Sequence, residues 1–174
     1  MTRHGTISSR RHPGHDYSSP GTYYLELPLR DERVPLVRSY GGRRYPTVEG
    51  RAVLREVGES LHRQGRHLRL DALDLQPWMA VLVVTVVSRP TLLRRLFMVM
   101  SDALYRRRMA LIPLFVGHVK MNSARRINAM RGKGGGSYWR EGYRDRVILE
   151  PSEVAAVVER VGCDFGDILF RDEM

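Results

Sequence analysis

The stretch LRLDALDLQPWMAVLVVTVV, residues 68–87, constrains this chain more than any other. Its first half sets Leu68, Leu70 and Ala72 against Arg69 and Asp71, the period of a strand with one buried face. Its second half, Met79 to Val87, is apolar except for Thr85 and rich in β-branched residues, which suits a central strand covered on both faces. Gln76-Pro77 separates the two. A proline cannot donate to a sheet ladder and biases its predecessor toward extended geometry, so the pair marks the turn of a tight antiparallel hairpin.

Upstream, Tyr23, Leu25, Leu27 and Leu29 alternate with Tyr24, Glu26, Pro28 and Arg30, giving a first strand with one core face. Asp31 to Pro46 reads as a charged connection with Gly41-Gly42 as a turn. Thr47 then caps a helix in which Val53, Val57 and Leu61 recur every four residues until Gly65 ends it. Downstream of the hairpin, Leu93, Leu96, Phe97, Met100 and Leu104 fall at helical spacing and close on Arg106, Arg107 and Arg108, where cations suit the helix dipole. A further helix, roughly residues 116–131, sets Val119, Ile127 and Met130 inward. A strand follows over 143–149. The last helix starts at Glu150-Pro151, carries Val154, Val157, Val158 and Val161 as its stripe, and stops at Gly162.

The order strand, helix, strand, strand, one or two helices, strand, helix predicts an α+β, ferredoxin-like split βαβ fold. Its expected form is one four-stranded antiparallel sheet with helices on one face. Residues 1–20 read as a polar N-terminal arm, 21–165 as the domain and 166–174 as a C-terminal tail. At 174 residues, 43% of them hydrophobic, the chain can bury a core without staples. The single Cys163 excludes an internal disulfide and a cysteine zinc cluster, and fits a reducing cytoplasm. The longest apolar run, Trp78 to Val87, is too short to span a bilayer, so no membrane partner is expected.

The net charge of +10 is unevenly placed. Between Arg89 and Arg146 stand 14 arginines and lysines against 3 acids, and the remainder has 15 against 16, so the excess belongs to one region. Such a region points to a polyanion, nucleic acid first. The candidate contacts are Arg10, Arg11, Arg106, Arg107, Arg108, Lys120, Arg125, Arg126, Arg131, Lys133, Trp139, Arg140 and Tyr143. Tyr138 to Tyr143 interleaves aromatic and basic groups as single-strand binders do, although Trp139 could equally anchor the loop on the core. The run GKGGGS, residues 132–137, lacks Lys and Ser/Thr directly after its final glycine and follows a helix, so it is not a phosphate-binding P-loop. His12, His15 and Asp16 form only a weak metal pattern.

Several segments resemble the REP-associated tyrosine transposases of the insertion-sequence-200 type. They are RRHPGHDYSSPGTYY, LDALDLQPWMAVLVV, RRINAMRG and YWREGYRDRVIL, spread over roughly residues 10–165. The resemblance implies the same ferredoxin-like fold, a homodimer, single-stranded or hairpin DNA as substrate, and Mg²⁺ or Mn²⁺ held by two histidines on the strand after the proline. Aligned on Pro77, those two positions are Met79 and Val81. The family's nucleophilic tyrosine falls on Arg160.

A thioether suits neither hard cation, valine has no lone pair, and a guanidinium cannot attack phosphorus. The expectation is therefore a transposase-like nucleic-acid-binding protein that is not an enzyme and has no metal or other cofactor. Tyr143 is the fallback nucleophile if the site is displaced. Two alternatives stand beside it: an active transposase using another site, and an RNA-binding subunit of a ribonucleoprotein. Its expected place is the cytoplasm, on the nucleoid or a ribonucleoprotein.

Overall fold

The computed structural model describes residues 20–87, 111–132 and 136–162. Its elements run β1 (Gly21–Pro28), β2 (Val37–Tyr40), β3 (Arg43–Pro46), α1 (Val48–Gln64), β4 (Leu68–Gln76), β5 (Met79–Val86), α2 (Leu111–Met130), β6 (Arg144–Ile148) and α3 (Pro151–Val161). Four strands form one antiparallel sheet in the order β4-β5-β1-β6. With β5 between β1 and β4, those two run parallel, which is the split βαβ arrangement expected.

One sheet face carries Tyr23, Leu25 and Leu27 of β1 and Ala80, Leu82, Val84 and Val86 of β5. They pack on Val53 and Val57 of α1 and on Phe115, Val119 and Ile127 of α2. The other face carries Ala72, Val83 and Ile148, covered by Val157 of α3 with Val154, Val158 and Val161 beside it. The expectation of helices on one face thus holds for α1 and α2 and is corrected for α3. The reason lies in β5: Val81 and Val83 are as buried as Leu82 and Val84, and a strand apolar on both sides must be covered on both.

A β-bulge between Leu70 and Ala72 corrects the simple alternation of β4. Leu68 and Leu70 pair with Val86 and Val84 on the α1/α2 face, whereas Ala72 pairs with Val83 on the α3 face. One extra residue in a strand reverses every side chain beyond it. The turn of this hairpin is Pro77-Trp78, between the Gln76–Met79 pair.

Thr47 caps α1 as expected, its Oγ1 accepting from Gly50 N–H at 3.0 Å. Helix α2 already includes Leu111, ahead of the expected 116, and Met130 at its last turn is exposed, not inward. The connection 31–46 contains a two-stranded hairpin, β2–β3. The expected helix over Leu93 to Leu104, the N-terminal arm and the C-terminal tail lie outside the described residues.

Candidate nucleic-acid interface

Met79 and Val81 project from β5 on the face that α3 covers, because Ala80 and Leu82 belong to the other. Strand register lines Val81 up with Glu26 of β1 and Asp74 of β4, and Glu26 with Arg144 of β6. The row therefore reads Arg144, Glu26, Val81, Asp74 across all four strands. Its charges are satisfied sideways: Arg144 Nη1 lies 3.4 Å from Glu26 Oε2, and Arg44 Nη1, reaching over from β3, donates to Asp74 Oδ1 at 2.8 Å. Val81 between them is 1% exposed and offers an ion no ligand. No group of three or more His, Cys, Asp or Glu side chains able to hold a metal occurs among the described residues.

Tyr24, one row further along the same face, was not singled out from sequence. Its hydroxyl donates to Glu26 Oε1 at 3.3 Å, and Arg160 of α3 and Arg146 of β6 are close enough to bear on its ionisation. Burial, reinforced by Glu26, pushes its pKa up against the pull of both arginines. A phenol held in its neutral form is a poor nucleophile. Tyr143, the fallback from sequence, packs against the α1/α2 core and so stands across the sheet from Met79 and Val81.

Several candidate contacts are committed to the fold. Trp139 is 2% exposed, and its indole N–H donates to Ser123 Oγ at 2.9 Å, the anchoring role that leaves no ring face for a base. Lys120 donates to the carbonyls of Arg140 and Gly142, clasping the 140–142 loop to α2, and burial lowers its pKa. Arg126 donates from Nε and Nη2 to Oε1 of Glu56, an acid buried at the α1/α2 contact. Arg140 donates to the Leu29 carbonyl at 3.1 Å and lies 3.6 Å from Glu32.

Arg125 and Arg131 differ from these. Both are exposed, and neither makes an ion pair among the described residues. Arg131, just past α2, shares its end of the molecule with Tyr138, Glu49 at the start of α1, and Asp31. The same end carries the β4–β5 turn, where Leu36 N–H donates to Pro77 O at 2.9 Å. It also carries the β2–β3 hairpin with Arg38, Tyr40, Arg43 and Tyr45, all exposed. The signal for this hairpin was present in sequence as Arg/Tyr alternation around Gly41-Gly42. Arg10, Arg11, Arg106, Arg107, Arg108 and Lys133 lie outside the described residues.

No protein-family model matches the chain, and no curated protein does. Its fold is similar to that of a solved REP-associated tyrosine transposase bound to a REP hairpin, with a TM-score of 0.51 and 15% identity. The match covers 89% of this chain and 70% of the other. At that identity the likeness establishes the fold. No helix among the described residues is long and apolar enough to cross a membrane.

Proposed function

We propose that the chain binds nucleic acid, with single-stranded or hairpin DNA favoured, and does not cut it. The carrying observation is that one end of the molecule collects arginines with no acid partner among the described residues: Arg38, Arg43 and Arg131, with Arg125 further down α2. Other arginines are committed to acids, as Arg126 is to Glu56 and as Arg44, on the inner side of the β2–β3 hairpin, is to Asp74. Unpaired guanidiniums are therefore the ones available to phosphates, where they gain affinity by releasing condensed counterions. The likeness in fold to a transposase bound to a DNA hairpin supports the choice of ligand.

The reading of no cleavage rests on chemistry at three positions. Met79 and Val81 supply no hard-metal ligand, and Arg160 no nucleophile. Phosphoryl transfer of that type needs both. The test is fluorescence anisotropy with labelled hairpin DNA bearing a single-stranded flank, followed by incubation with Mn²⁺ and denaturing electrophoresis. Salt-sensitive binding without a covalent adduct is expected. Absence of binding at low salt overturns the nucleic-acid reading. An adduct lost in Tyr143→Phe or Tyr24→Phe overturns the non-catalytic one. Tighter binding to the RNA version of the hairpin would move the ligand from DNA to RNA.

A further inference from the structure

The β2–β3 hairpin presents an aromatic and basic face that the fold itself does not use. Its turn residues Gly41 and Gly42 have φ of 57° and 76°, the conformation a two-residue hairpin turn requires and that glycine takes without strain. Register sets Arg38 opposite Tyr45 and Tyr40 opposite Arg43, and strand alternation places these four on one face. The opposite face holds Val37, Ser39, Arg44 and Pro46. That opposite face does the anchoring, through buried Val37 and the Arg44–Asp74 pair. Where the hairpin leaves the chain, Thr47 Oγ1 donates to Pro35 O at 2.8 Å.

The outward face is thus a checkerboard of two guanidiniums and two phenol rings. Tyr40 is 83% exposed and Tyr45 49%. Neither Arg38 nor Arg43 has an ion pair among the described residues, and residues 37–46 include no carboxylate. A second copy of the same face would gather four guanidiniums with no carboxylate from either hairpin between them, so charge selects a polyanion. The exposed rings select one with free π-faces, which unpaired bases have and the interior bases of a duplex do not.

We propose that this face is a stacking platform for unpaired nucleotides, with bases on Tyr40 and Tyr45 and their phosphates on Arg38 and Arg43. The proposal rests on the nucleic-acid reading above and adds the form of strand held and the place that holds it. Stacking is tolerant of base identity, so the platform takes a single-stranded flank of any sequence.

The test uses the full chain and anisotropy with a short oligothymidine, its oligouridine counterpart and a blunt duplex. Replacing Tyr40 and Tyr45 by Ala together is expected to weaken oligothymidine binding by about tenfold or more, with the salt slope and duplex binding unchanged. The Tyr→Phe pair should retain affinity. Replacing Arg38 and Arg43 by Ala should lower the slope of log affinity against log salt on single strands by about 1.4. Equal losses on oligothymidine and oligouridine mean that the platform reads bases and phosphates alone, as proposed. If the parent binds and the tyrosine pair can be removed without effect, or with equal loss on duplex, the platform is wrong while the broader reading stands. If light scattering shows that the tyrosine variant only dissociates a dimer, the face is a contact between copies and the platform is again wrong. Failure of the parent to bind any of the three ligands removes both.

Discussion

Trp139 shows how a residue of binding type becomes a residue of the core. Its ring meets Tyr138 edge-on at 5.6 Å between centroids, and its N–H is spent on Ser123, whose own hydroxyl donates to the Val119 carbonyl. Trp139→Ala should therefore cost about 3–5 kcal/mol of stability in urea unfolding. A surface stacking residue would leave stability unchanged. Its neighbour Tyr138 donates to Val34 O at 2.9 Å, and burial, with lesser help from Glu49 and Asp31, pushes its pKa far above the ordinary 10.0. The folded state thus keeps a proton that the unfolded state releases. The stabilisation is complete below the unfolded value of 10.0 and is lost as pH rises through the window between it and the raised folded value. Lys120, lowered by burial, works in the opposite sense as it sheds its charge in the native state, so the comparison must be within one background. Unfolding at about pH 9 and about pH 11 should show a fall that Tyr138→Phe flattens.

At the scale of elements, the crossing of the 34–37 segment over the start of α1 decides where the hairpin stands. A Cβ on Gly50 would lie 2.1 Å from Leu36 O, the carbonyl that also accepts from Thr47 N–H at 2.9 Å. Gly50→Ala gains up to about 1 kcal/mol in helix propensity and should still lose stability, because the obstacle is backbone and cannot swing aside. Thermal unfolding checks this: a raised Tm would mean that the segment yields freely. The central elements were legible in sequence because their signals are local. Thr47 caps, the valines of α1 and α3 recur at helical spacing, and Pro77 breaks the strand pair. What sequence did not disclose depends on contacts between distant residues. The bulge at Asp71 is visible only once β4 is paired with β5. The side of the sheet that α3 takes follows from the second apolar face of β5, which periodicity reads as ambiguity. Arg126 is an ordinary surface arginine until Glu56, 70 residues away, is found buried beside it.

For the molecule as a whole, the question is which positive charges can leave their partners for a phosphate. Composition alone gives +10 and cannot sort them. Folding commits Arg126, itself partly exposed, to the buried carboxylate of Glu56, and removing the arginine leaves that carboxylate short of a donor, at about 1–3 kcal/mol. Arg126→Ala is therefore expected to act on stability. Arg125, next to Arg126 in α2, and Arg131, just past the end of the helix, are exposed and carry no such duty among the described residues, and their replacement by Ala should leave the unfolding free energy within about 0.5 kcal/mol of the parent. If both meet phosphates, the double variant should lower the slope of log affinity against log salt by about 1.4 on single strands and about 1.8 on duplex, with sequence preference unchanged. Adjacent residues of α2 thus separate into a structural and a binding arginine. Urea unfolding and salt titration, run on the same variants, distinguish them. A slope unaltered by Arg125→Ala and Arg131→Ala would leave the basic end a solvated surface, and the nucleic-acid reading would then rest on the β2–β3 hairpin alone.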